Sequence, residues 1–193
     1  QILETAIKIR VYDKCSRVDF VVDTYPDVSI KDIEHSARAS DGATVVTKYG
    51  AEQKVPTQWK KFLKHGRNKL ALLHFLFQSW CKYSSSKLRG LTLYVSESDQ
   101  CHHLSLAAAN DARVIVQRIP ELACDHEEAD TRMLLHASHA TRYNNVLVRS
   151  PDTDVFVLLL HFSFTIPSKL YFLTGVKDHA RILCEGPREI TVV

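Results

Sequence analysis

The chain has no Cys-x-x-Cys pair. Its five cysteines, Cys15, Cys81, Cys101, Cys124 and Cys184, are scattered and odd in number. That excludes a zinc ribbon and argues against a disulfide framework; reduced thiols in an intracellular compartment are expected. No apolar run approaches the length of a membrane span, so no membrane partner is expected. Internal repeats and low-complexity segments are also missing, and no signal peptide is visible. The chain starts at Gln1 rather than Met, which leads us to expect a piece of a longer protein. Nor is there a strong surplus of one charge. The 25 basic and 22 acidic residues leave a net charge of +3 with His neutral. That balance permits nucleic-acid binding without arguing for it.

What is present is an ordinary globular composition, 45% hydrophobic and 24% charged over 193 residues. This suffices for one domain, 1–193, with a full core. Helical and strand-like segments alternate. Arg17–Asp23 is β-branched and apolar and reads as a strand ending on a carboxylate. Ser29 can cap a helix over 30–38, on which Lys31 and Arg38 share a face. Thr57 can cap a helix at 58–64, broken by Gly66. Arg67–Tyr83 carries Leu70, Leu73, Phe77 and Trp80 at helical spacing. Leu91–Val95 and Ala112–Arg118 read as strands. Between them, Ser96–His103 reads as a polar surface loop and Leu104–Ala109 as a helical turn. His126–Arg142 reads as a helix packing through Ala129, Met133, Ala137 and Ala140, with His136 and His139 as a surface pair. Asn145–Arg149 and Lys169–Leu173 read as strands. The alternation predicts an α/β fold with a mostly parallel central sheet flanked by helices.

Two acidic clusters stand out: Glu127, Glu128 and Asp130, then Asp152 and Asp154. Carboxylates held close raise one another's pKa, so a fold that gathers them usually contains something cationic. Hard divalent ions, Mg²⁺ or Mn²⁺, take such oxygens and keep waters for substrate phosphates. In extended geometry Asp152 and Asp154 would point to the same side. On an ideal helix Glu128 and Asp130 point about 200° apart. They can share a site only if the helix starts there, whereas Glu127 and Asp130 share a face more naturally. The bland reading of acids at a helix start is their fit to the helix dipole.

Three segments in order carry a resemblance: Val21-Val-Asp-Thr-Tyr25 with Lys31 and Arg38, Glu127-Glu-Ala-Asp-Thr-Arg132, and Ser150-Pro-Asp-Thr-Asp-Val155. Together they resemble the PIN-like, flap-endonuclease-like nuclease superfamily over roughly residues 15–175. More narrowly they resemble long animal proteins, some associated with mobile elements, that carry this domain. The resemblance implies a PIN-like fold and metal-dependent hydrolysis of DNA or RNA. It implies Asp23, Glu128, Asp130, Asp152 and Asp154 as catalytic metal-site carboxylates for Mg²⁺ or Mn²⁺, two ions in the full pattern. Lys31 and Arg38 become contacts to the nucleic-acid backbone, and the nucleus becomes a candidate compartment.

The superfamily's first Asp has no match before Asp23, and its final Gly-x-Asp has none in Val176–Val193. The alternative is therefore a catalytically degenerate scaffold that binds nucleic acid or protein. Asp152-Thr-Asp154-Val155 also matches the Asp-x-Asp of haloacid-dehalogenase-like phosphatases. It leaves no room for their downstream Lys and acidic motifs.

Overall fold

The computed structural model describes residues 15–24, 57–63, 66–82, 90–108, 111–174 and 181–184. The helix expected over 30–38 lies outside them. The fold is mixed α/β, and the chain divides into two compact units, Gln1–Glu127 and Glu128–Val193.

In the first unit, strands β1 (Arg17–Phe20), β2 (Thr92–Glu97), β3 (Gln100–Ala108) and β4 (Asp111–Arg118) form one sheet in that order. Helices α1 (Trp59–Phe62) and α2 (Gly66–Lys82) lie between β1 and β2 in the chain. The crossover makes β1 and β2 parallel, with Arg17 opposite Thr92 and Phe20 opposite Val95. α1 ends at Phe62, and Gly66 is the first residue of α2. The buried Asn68 amide donates to the Phe62 carbonyl at 3.1 Å and joins the end of α1 to this start.

α2 is helical as expected, and of the four residues at helical spacing Phe77 and Trp80, together with Leu76, pack against the sheet. Leu93, Val95 and Leu104 meet them with Val18 and Phe20. Phe20 and Trp80 pack edge to face at 5.1 Å, a favoured aromatic geometry.

The surface loop and helical turn expected across Ser96–Ala109 are instead a hairpin. β2 and β3 pair antiparallel from Leu93 opposite Leu104 to Glu97 opposite Gln100. Only Ser98 and Asp99 connect them, and Ser98 adopts φ 52°. So tight a link forces an antiparallel pair. The strand was hidden because His102, His103 and Ser105 interrupt its apolar residues and only alternate residues, Leu104 and Leu106, enter this core.

On the opposite face Asp19, Tyr94, His103 and Gln117 form one cross-strand row. The Arg17 guanidinium lies 3.9 Å from the Tyr94 ring centroid. It donates to both Asp19 carboxylate oxygens, at 2.7 and 2.6 Å. Tyr94 stacks on His103 at 5.3 Å. His102 turns the other way, 4.7 Å from Phe77.

Burial lowers the pKa of both histidines below the ordinary 6.5, and Arg17 lowers that of His103 further. In the unfolded chain both protonate first as pH falls. The unfolded state therefore gains protons that the folded state resists, and stability drops as pH goes below about 6.5. Chemical denaturation of the wild type should show a falling midpoint between about pH 7.5 and 5.5. His102→Phe/His103→Phe should flatten that slope, and an unchanged slope would contradict the assignment.

In the second unit, β5 (Asn145–Arg149), β6 (Lys169–Thr174) and β7 (Arg181–Cys184) form a three-stranded sheet. Helix α3 (Ala129–His139) precedes β5, and α4 (Thr153–Phe162) links β5 to β6. That helical crossover makes β5 and β6 parallel, while β6 and β7 are antiparallel.

The core joins Ala137 of α3, Val148 of β5, Val155 and Leu159 of α4, and Leu170 and Phe172 of β6. The apolar run Val155–Leu160 lies within α4. As a helix it buries Val155 and Leu159 and exposes Val157 and Leu160. His136 is buried rather than part of a surface pair, and Arg132 is fully buried.

The prediction of a mostly parallel central sheet is therefore corrected. Among the described residues there are two sheets, and three of the five strand pairings are antiparallel. Parallel pairing appears only where a helix intervenes. No helix among the described residues is long and apolar enough to cross a membrane.

Candidate metal centre

The expected helix from His126 begins only at Ala129, with Glu128 as its N-cap in extended geometry. The preceding segment is held by other bonds. The Cys124 amide donates to the Asp99 carbonyl, and the Glu127 carbonyl accepts from the Thr24 amide, each at 2.8 Å. Residues fixed in this way are not free to wind into a helical turn. The shared face proposed for Glu127 and Asp130 therefore does not exist. Asp130 sits in the first turn of α3.

Asp152 and Asp154 are likewise not on a strand. β5 ends at Arg149, and Pro151 disfavours the helical region for Ser150. The Ser150 hydroxyl then accepts from the Asp152 amide at 3.1 Å. Asp152 is the N-cap of α4. Its Oδ1 accepts from the Asp154 amide at 3.0 Å, which satisfies one of the helix's orphan donors. Asp154 follows in the first turn. The cap, and not strand alternation, brings these two carboxylates together.

α3 and α4 pack together. Asp130, Asp152 and Asp154 each place a carboxylate oxygen within 4.8 Å of the others. Asp130 is half-buried, and Asp152 and Asp154 are exposed. Two carboxylates about 4 Å apart repel by about 1 kcal/mol in water and several times more in a less polar setting. Helix N-termini offset part of that repulsion. The donor set is all oxygen and all anionic and is open to solvent on one side. It fits a hard divalent cation that keeps several waters, and these three residues could hold such an ion.

The other predicted site residues lie elsewhere. Glu128 caps α3 without a side-chain cap bond and is not among the three converging carboxylates. Asp23 belongs to the first unit, in the segment after β1. Lys31 and Arg38 lie outside the described residues.

Sequence reasoning passed over a second convergence. Cys124, Asp125 and His126 also bring three donor atoms within 4.8 Å of one another. Neighbours in an extended segment ordinarily point apart, so nothing in the residue order announces it.

The chain finds no match among family models, curated proteins or solved structures.

Proposed function

We propose that this chain carries a divalent-metal centre of the PIN-like, flap-endonuclease-like kind, which hydrolyses phosphodiester bonds of DNA or RNA with Mg²⁺ or Mn²⁺. The convergence of Asp130, Asp152 and Asp154 at the starts of two packed helices carries this reading. It joins the last two of the three sequence segments that support the resemblance. A bound divalent ion supplies Lewis acidity toward a phosphoryl oxygen.

The chain's own residues do the rest. Asp130 and Asp154 hold their oxygens on short, helix-anchored side chains, so little freedom is lost on binding. Asp152 spends one oxygen on its cap and keeps the other for the site. In this proposal Glu128 adds a carboxylate, and Lys31 and Arg38 hold the nucleic-acid backbone, which is read by charge rather than by base.

The test is cleavage of end-labelled single-stranded, duplex and flap oligonucleotides in Mn²⁺. Metal-dependent products that vanish in Asp154→Asn support the proposal. A folded chain that binds the oligonucleotide without cleaving it points to the degenerate scaffold instead.

A further inference from the structure

We infer that Cys124, Asp125 and His126 form a separate site for a borderline first-row metal ion of the zinc class. The inference does not depend on the hard-ion reading of the aspartate triad. It rests on three observations in the first unit.

The first is the donor set. A thiol sulfur, a carboxylate oxygen and an imidazole nitrogen all lie within 4.8 Å of one another. Tetrahedral coordination at zinc bond lengths of about 2.0–2.3 Å needs donor separations of roughly 3.3–3.8 Å. Side-chain adjustment of about an ångström closes that difference, and no strand or helix has to move. Sulfur and nitrogen donors select zinc-class ions over Mg²⁺ and Ca²⁺.

The second is anchoring. Asp99 binds one end of the four-residue segment 124–127, and Thr24 binds the other, through main-chain hydrogen bonds of 2.8 Å. The Thr24 hydroxyl donates in turn to the Ser98 carbonyl in the β2–β3 turn. Just upstream, Pro120–Leu122 forms a 3₁₀ turn whose Leu122 is fully buried. The donors therefore ride on a tethered segment beside a two-residue hairpin turn, which lowers the ordering cost of binding.

The third is access. Cys124 is half-buried while Asp125 and His126 are exposed. An ion held there has three protein ligands and an open side for water or another ligand, the pattern of an open zinc site.

Titration of the full chain with Co²⁺ tests this. The expected result is a near-ultraviolet thiolate-to-cobalt charge-transfer band that saturates near one ion per chain. One equivalent of Zn²⁺ should displace it, and excess Mg²⁺ should not. Cys124→Ser should abolish the band and Cys81→Ser should retain it. Asp125→Asn and His126→Gln, both at exposed positions, should each weaken Zn²⁺ binding at least about tenfold with an unchanged far-ultraviolet spectrum. They decide the matter even if Cys124→Ser folds poorly. Absence of the band, its persistence in Cys124→Ser, or Zn²⁺ affinity unmoved by the other two variants would overturn the inference.

Discussion

Asp154→Asn should reduce metal-dependent phosphodiester cleavage by about 10²–10³-fold, a loss on the scale of removing one electrostatic contact to a developing transition-state charge. The same variant should remain folded. Relief of repulsion from Asp130 and Asp152 stabilises it, and the lost attraction to the α4 dipole costs about 0.3–1 kcal/mol.

Asp152 gives a sharper comparison because it serves two roles. Asp152→Asn keeps an oxygen that can accept from the Asp154 amide, so the cap survives while the charge is gone. Asp152→Ala loses both and should cost about 1 kcal/mol more in stability. Cleavage should be lost in both variants. If Asp152→Asn kept full activity, the carboxylate would be a cap and nothing more.

The second large effect concerns the first unit's core. Leu104 is 0% exposed and lies in the core formed by Trp80, Leu93 and Val95. Leu104→Ala removes its transfer energy and leaves a cavity walled by a sheet and a helix that cannot collapse freely. A destabilisation of about 2–5 kcal/mol is expected, a large share of a domain stability of about 5–15 kcal/mol. The control is Phe164→Ala. Phe164 is 90% exposed, and its loss should stay within about 0.5 kcal/mol. Urea denaturation monitored by far-ultraviolet circular dichroism makes the comparison. Equal midpoints for the two variants would contradict the packing described for β3.

Some of this architecture could be read from residues alone. α2 was legible because Leu70, Leu73, Phe77 and Trp80 recur at helical spacing. β5 and β6 were legible because Val146–Val148 and Leu170–Phe172 are short apolar runs bounded by polar residues. β3 was not, because His102, His103 and Ser105 break up its apolar residues and make it resemble a loop. Sheet direction was not legible either. It depends on whether a helix or a two-residue turn joins consecutive strands, and Ser98-Asp99 gave no strong turn signal.

For the candidate site, the acids themselves were visible as clusters. How Asp152 and Asp154 are placed was not, because a run such as Val155–Leu160 is as compatible with a buried strand as with a helix buried on one side. The start of α3 was misplaced by three residues. The bonds that delay it come from Asp99 and Thr24, both distant in sequence. The Cys124–Asp125–His126 group was invisible for the same reason.

Calorimetric titration with Mn²⁺, comparing wild type with Asp152→Asn/Asp154→Asn, decides whether the three aspartates bind a hard ion. Saturable binding by the wild type is expected, lost in the folded double variant and kept in Cys124→Ser, since the hard ion uses the aspartates and not the thiol. A folded wild type that binds no Mn²⁺, or binds it equally well after both aspartates are neutralised, would mean that the aspartates hold no ion.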